Sequence, residues 1–460
     1  MSSAAVEVAS RLERLPLSRW HKTIVALLAG ALVFEYMDLY SFAFTPALME
    51  HEGFTVQDVA IITGATAAGT FFGAGIGGRL ADRFGRKPVL LACVATYSLG
   101  SLLNAVVADP IYFLALRFVT ALGFQGMNVV TVVLLAELMP ARVRGRAQAW
   151  AVGCGAVGPM VMAWLGFFVV PNIEWGWRLL YVVGGLGIVL FVVLQRHLPE
   201  SPRWLVSAGH HVRAETTLRA IEDEITRQGH VLPPPDAAPT PPAEDDDSGA
   251  GLRALAKAGY GGRFAVTSAI FTLGVVSYFG FNYWVSTLLK LRGFDLHHTT
   301  LYTAIIVTVG MLGPLAATFF ADRWQRKHIL AGIGAALGIL SLLFTLASST
   351  VAAITLACVL SFVFQLSVPL TLTYTSEVFP TRFRSTGLGW ANSIARVANV
   401  IAAQVISALL LGFGIAAVFY FVAALMFTFA LLISVFGIRT RGISLEEVNE
   451  ARAETTPTAS

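Results

Sequence analysis

Long apolar stretches recur from end to end of the chain, at about 23–48, 59–80, 88–108, 110–139, 146–170, 176–195, 264–289, 298–321, 329–348, 350–378, 385–411 and 415–437. Each is close to the roughly 20 residues that a helix needs to cross a hydrocarbon core. Inside that core no water bonds the backbone, so only helices or a closed barrel can span it. Barrel strands alternate in polarity, whereas these stretches stay apolar and rich in glycine, which points to helices. Composition agrees: 56% of the 460 residues are hydrophobic and 13% are charged, against about 25% charged in a soluble domain. Three cysteines and an aromatic share of 11% also exclude a disulfide scaffold and a disordered chain.

Charge placement gives the topology. Of the 32 Lys and Arg residues, 27 fall in segments that a cytoplasmic N-terminus would leave inside; three (Arg178, Lys290, Arg292) fall outside, and Arg117 and Arg396 fall within spans. Cytoplasmic loops carry the Lys/Arg excess, so both termini are expected inside a multi-pass protein of the cell (inner or plasma) membrane. The pI of 9.0 therefore reflects topology, and nucleic acid is not an expected partner. The first span is longer than a signal-peptide core and is expected to stay in place. Cys93, Cys154 and Cys358 all fall in spans and read as small buried apolar residues.

The chain repeats itself. Asp82 and Asp322, Glu137 and Glu377, Pro140 and Pro380, Arg142 and Arg382, and Arg144 and Arg384 all stand 240 residues apart. Two six-helix halves related by duplication are the expected architecture: an all-α membrane protein of twelve transmembrane helices in two pseudo-symmetric bundles. The expected division is a cytoplasmic N-terminal segment (1–22), a first bundle (23–196), a cytoplasmic linker (197–262), a second bundle (263–437) and a cytoplasmic tail (438–460). Within the linker, 211–228 reads as an amphipathic surface helix with Leu218, Ile221 and Ile225 on one face. The run Pro233-Pro234-Pro235 to Asp247 reads as an acidic, proline-rich tether.

Several motifs carry a family resemblance. Gly77-Gly78-Arg79-Leu80-Ala81-Asp82-Arg83-Phe84-Gly85-Arg86-Lys87 resembles the signature loop of the major facilitator superfamily, and Ala321-Asp322-Arg323-Trp324-Gln325-Arg326-Lys327 resembles its second copy, with Trp-Gln where Phe-Gly is usual. The stretches from Glu137 to Arg146, from Pro199 to Arg203 and from Glu377 to Arg384 resemble the sugar-porter-like branch. The resemblance implies alternating access, with gating ion-pair clusters made from Asp82, Arg86, Glu137 and Arg144 in one half and Asp322, Arg326, Glu377 and Arg384 in the other. Exposed ion pairs are individually weak, which lets a rocking motion break and remake them. Gly69, Gly73 and Gly77 share a helix face at spacing four, which fits close helix packing better than a dinucleotide loop.

Ionisable groups inside spans cost about 2.5–3.5 kcal/mol at a helix centre, so they mark pathways. Span one carries Glu35 and Asp38; span four carries Arg117, Gln125 and Asn128; span eleven carries Asn392, Arg396 and Asn399. Glu35-Tyr36-Met37-Asp38 resembles the first-span acidic element of aromatic-acid and nicotinate-type proton symporters and of synaptic-vesicle-glycoprotein-like transporters, with Glu in place of the first Asp. Arg117 stands 20 residues before Glu137, as does the fourth-span Arg of sugar–proton symporters. The resemblance implies proton coupling through Asp38 and Glu35 with Arg117 as partner, because a carboxylate parted from its guanidinium takes up a proton more readily.

Ser393-Ile394-Ala395-Arg396 resembles the eleventh span of organic-anion transporters and bacterial aromatic-acid symporters, which implies that Arg396 meets a substrate carboxylate. A guanidinium offers a planar two-point match to that group. Further expected substrate contacts are Asn392, Asn282, Tyr283, Tyr278, Phe281, Gln125, Asn128, Gln365 and Tyr374. The expected function is proton-coupled symport of a small organic carboxylate, with an aromatic acid as the expected type. Open alternatives are a sugar–proton symporter, an efflux antiporter (Gly158-Pro159 resembles part of the exporter motif) and a non-transporting nutrient sensor. The expected partners are the organic anion, H+ and the lipid bilayer, around a monomer. No cofactor is expected, no residue set reads as a metal site, and no nucleophile or phosphate-loop constellation marks an enzyme.

Overall fold

Helices begin after Asp109, Ser201, Asp295 and Ser349, whose side chains cap the first turn. In this computed structural model, which describes residues 3–42, 52–107, 109–155, 157–234, 252–282, 284–320, 325–379 and 381–438, every regular element among the described residues is helical. Asp109 accepts from the amides of Ile111 and Tyr112 at 2.9 and 3.2 Å, with Pro110 in the first turn. Ser349 caps Ala352 at 3.2 Å. Such caps satisfy amides that lack an intrahelical acceptor.

In chain order the α-helices are α1 (Ser3–Glu13), α2 (Arg19–Ser41), α3 (Val56–Phe84), α4 (Arg86–Asn104), α5 (Pro110–Leu138), α6 (Ala141–Gly155), α7 (Val157–Val169), α8 (Gly176–Gly185), α9 (Gly187–His197), α10 (Pro202–Ser207), α11 (His211–Arg227), α12 (Leu252–Leu255), α13 (Gly261–Asn282), α14 (Val285–Leu291), α15 (Leu296–Gly310), α16 (Gly313–Phe320), α17 (Arg326–Leu346), α18 (Thr350–Glu377), α19 (Thr381–Phe413) and α20 (Ile415–Phe436). Among the described residues, eleven helical stretches are long and apolar enough to cross a membrane. The remaining expected span corresponds to α4, whose 19 residues open on Arg86-Lys87-Pro88 and include Ser98, Ser101 and Asn104. Those three polar side chains are buried in the bundle, and they make α4 the least apolar of the set.

The chain forms two compact units, Met1–Phe42 with Ala65–Asp245, and Ala43–Gly64 with Asp246–Ser460. In the first, Leu28, Leu32, Leu90, Tyr97, Phe124, Leu134 and Leu194 belong to one buried core. The glycine stripe brings α3 against α5: a Cβ at Gly73 would stand 2.6 Å from the Leu122 carbonyl oxygen, and one at Gly77 2.5 Å from Gly126 Cα. A second, smaller core lies under α1, α10 and α11, where Val8, Leu12 and Leu15 pack with Trp204, Leu205, Val206, Leu218, Ile221 and Ile225. The amphipathic face expected for 211–228 is thus covered by α1, and most of the acidic tether (235–251) lies outside the described residues.

In the second unit α13 packs on α19 and α20, α15 on α18, and α17 on α20. Gly334 admits Phe429 where a Cβ would stand 2.7 Å from its ring, and the Phe344 and Phe419 rings meet at 4.2 Å. Gln404 Nε2 donates to the Ala60 carbonyl at 3.0 Å, tying the start of α3 to α19 within this unit.

Candidate functional site: a buried acid–arginine pair and a second guanidinium

The sequence of α2 places two acids on an apolar helix, and α5 supplies a partner for each. Arg117 Nη1 donates to Asp38 Oδ2 at 3.0 Å, and both side chains are 0% exposed. The guanidinium lies over the rings of Phe42 and Tyr181, at 5.7 and 5.9 Å from their centroids. Aromatic faces attract a cation most where water is excluded. Glu35, 2% exposed, accepts from Asn128 Nδ2 at 3.1 Å on each carboxylate oxygen. Gln125 is buried between the two partners on α5.

A third helix also packs closely beside Asp38. Gly184 of α8 stands so near α2 that an added Cβ would be 3.3 Å from Asp38 Cα. The Ser101 hydroxyl fixes α8 from the α4 side by donating to the Tyr181 carbonyl at 2.8 Å. Among the described residues Asp38 Oδ1 has no hydrogen-bond partner. Oδ2 is thus committed to Arg117 and Oδ1 is not. Phe42 continues the helix face of Glu35 and Asp38 in the sequence, whereas Tyr181 was not expected, because aromatic residues are frequent throughout the spans.

The second unit has a different character. Arg396 lies half-buried on α19, one turn after the half-buried Asn392. Asn282 is buried, and its Nδ2 donates to the Tyr278 carbonyl at 2.9 Å. Phe281 stacks on Phe364 at 5.7 Å and meets Phe419 edge-on at 6.5 Å. Tyr278 meets Phe364 edge-on at 6.5 Å. Gln365 is buried on α18. The Tyr374 hydroxyl accepts from the Ile438 amide at 2.8 Å, so this side chain anchors the chain just beyond α20. Tyr283 lies outside the described residues.

Further ion pairs join the residues expected to form gating clusters. Arg86 donates through Nη2 to Glu137 at 3.0 Å and through Nη1 to Asp82 at 2.8 Å. Burial works to lower the basicity of Arg86, and the bonds and charges of Glu137 and Asp82 outweigh it, so the guanidinium is more basic than usual. Glu200 receives the backbone amides of Arg86 and Lys87 at 3.0 and 3.2 Å. The neighbouring Gly85 takes φ 106°; a Cβ there would stand 2.4 Å from Glu200 Oε2. Trp204 Nε1 donates to the Asp82 carbonyl at 2.8 Å. Arg144 meets Glu13 of α1 rather than Glu137, at 3.2 Å. In the second unit Arg326 pairs with Glu377, the same 51-residue separation as Arg86 and Glu137. Asp322 lies outside the described residues, as does the side chain of Arg384.

A family model described as "Sugar (and other) transporter" matches residues 28–451. The chain belongs to that family. It is a sugar-porter-like member of the major facilitator superfamily and a multi-pass membrane transporter. It is 32% identical to a putative metabolite transport protein, YyaJ, of Bacillus subtilis, over 94% of this chain and 95% of that one. It is 29% identical to the niacin transporter NiaP of Acinetobacter baylyi, over 96% of this chain and all (100%) of the relative. The solved xylose transporter XylE from E. coli superposes with a TM-score of 0.70 at 20% identity, covering 92% of this chain and 99% of XylE, which shows the fold.

Proposed function

We propose that this transporter couples uptake of a small aromatic monocarboxylate to the movement of H+. The observation that carries the coupling is the fully buried Asp38–Arg117 pair. Two charges taken out of water need each other, and removing one leaves the other uncompensated. In this reading the pair would alternate between two arrangements: Asp38 on Arg117, and Asp38 carrying the proton once the guanidinium turns elsewhere. Oδ1, which accepts no hydrogen bond among the described residues, is the oxygen on which the proton sits. Glu35, held by Asn128, is the second acid of the same stripe. Alternating access then makes proton binding and solute binding parts of one cycle.

The substrate class follows from the C-terminal half. Its spans carry Arg396 and no Asp or Glu at mid-span, so the fixed charge there is cationic and suits an anion. A guanidinium binds a carboxylate at two points. Asn392, Asn282, Gln365 and the Tyr278–Phe281 segment, with Tyr283, supply amides and ring faces for a flat molecule; Gln125 and Asn128 supply amides from α5. That NiaP is named for niacin, a pyridine carboxylic acid, supports the same class. In this cycle the clusters around Arg86–Glu137 and Arg326–Glu377, with Asp82, Arg144, Asp322 and Arg384, open and close the cytoplasmic side.

The test is ligand-induced thermal stabilisation of the purified protein by nicotinate, benzoate and 4-hydroxybenzoate against xylose and glucose, repeated on Arg396→Ala. The expected result is that carboxylates raise the Tm of the wild type alone and that sugars raise neither. Stabilisation by a hexose or pentose, or equal stabilisation of both proteins by benzoate, overturns the reading.

A further inference from the structure

The N-terminal helix reaches the gate. Glu13, the last residue of α1, takes Arg144 Nη2 at 3.2 Å and Arg203 Nη2 at 2.9 Å on one carboxylate oxygen. Arg203 in turn donates through Nε to the Glu137 carbonyl at 3.2 Å. Nearby, Arg142 Nη2 donates to the Leu15 carbonyl at 2.8 Å. One acid on α1 thereby connects the start of α6, the start of α10 and the end of α5.

The rest of α1 is built to keep that acid in place. Arg11 grips Glu222 at two points, 3.1 and 2.6 Å, and reaches Glu215 at 2.7 Å. Arg14 adds a contact of 2.6 Å to Glu222. Beneath these pairs Leu12 and Leu15 are fully buried against α10 and α11. A helix of 11 residues is marginal in water by itself, so α1 is helical because it is docked. An acid at a helix C-terminus also opposes the helix dipole. Glu13 therefore occupies a position unfavourable for its own helix, and the two guanidiniums offset that cost.

We propose that Glu13 is a positioning residue of the cytoplasmic gate. It acts through Arg144 and Arg203 and, by tethering Arg144, slows the change of ion-pair partners that accompanies each turnover. This rests on the reading that Arg144 takes part in gating and is independent of the substrate and of proton coupling.

The experiment uses full-length protein in proteoliposomes with Glu13→Gln and Glu13→Asp. Hydrogen exchange of backbone amides is followed by mass spectrometry, and counterflow is measured with nicotinate as probe. Glu13→Gln is expected to speed exchange across 141–147 while 4–12 keeps its protection, because Arg11 and Leu12 still hold the helix. It is also expected to raise the counterflow rate about 2- to 5-fold with KM unchanged, the range that one partly exposed ion pair supplies. Glu13→Asp restores both toward wild type. If wild type does not carry nicotinate, the substrate reading fails while exchange at 141–147 still decides the role of Glu13. Unchanged exchange at 141–147 in Glu13→Gln overturns the proposal, as does faster exchange that is uniform over 4–12 and 141–147, which would mark a helix that has simply come off.

Discussion

The two halves descend from one repeat, yet their centres carry opposite chemistry. The N-terminal half places two carboxylates at mid-span and answers each, Asp38 with Arg117 and Glu35 with Asn128. The C-terminal half places a guanidinium, Arg396, among amides and aromatic rings, with no acid at mid-span. By contrast the charged ends of the spans have diverged little: Arg86–Glu137 and Arg326–Glu377 form at identical separation. The charged ends recur in both halves, while the interiors have diverged, one carrying two acids and the other a guanidinium.

The sharpest way to break this contrast is to remove the cation from the acidic half. Arg117→Met leaves Asp38 buried without its counter-charge, and a loss of about 3–5 kcal/mol is expected; thermal unfolding in detergent reads it. A Tm equal to wild type would mean that the site is wetter than its full burial implies. Next in size is Arg396→Ala in the cationic half. Losing a charge-assisted contact worth about 1.5–3 kcal/mol raises the KM for nicotinate or the carboxylate that replaces it about 10- to 150-fold, with Arg396→Lys intermediate because it offers no fork. Uptake kinetics check this, and a KM unchanged in both variants removes the anchor.

Gly73→Ala separates packing from chemistry. Its Cβ would stand 2.6 Å from a backbone oxygen, so α3 and α5 must part, at a cost of about 1–3 kcal/mol. Since α5 carries both Arg117 and Asn128, the coupling ratio is expected to fall along with the Tm. The smallest effect concerns the docked α1. At Glu222 burial works to raise the carboxyl, and Arg11 and Arg14 outweigh it, holding its pKa below the usual range. A depressed acid contributes stability above its unfolded pKa and loses it as pH falls through the folded one. Amide protection of α1 is therefore expected to be flat between about pH 8 and about pH 6 and to fall only below the ordinary glutamate range. Loss of protection already near neutrality would contradict it.

The spans were legible because bilayer insertion leaves few alternatives to long apolar windows, and the repeat because its charged positions keep one spacing. α4 was legible too, although Ser98, Ser101 and Asn104 dilute its apolar character. Among the charges, Asp38 and Arg117 announced themselves because an ionised group in a span is costly. Glu35 was visible for the same reason, but its bond to Asn128 was not, since an amide has several acceptable partners. The cluster on α1 left no trace. Glu13 meets residues 131 and 190 positions away, and Glu222 meets one 211 away. A solvated charge that finds such a partner looks in sequence like any other surface charge. The stacking of Phe281 on Phe364 was hidden for the opposite reason, since aromatic side chains are too common in these spans to single out a pair.

The most direct test of proton coupling compares wild type with Asp38→Asn in proteoliposomes, measuring nicotinate, or whichever carboxylate stabilises the protein, in two modes. With an imposed pH gradient, wild type is expected to accumulate the solute above its external concentration, while Asp38→Asn only equilibrates. In counterflow without a gradient, both are expected to exchange solute. Gradient-driven accumulation by Asp38→Asn at the wild-type level would show that the proton travels by another route.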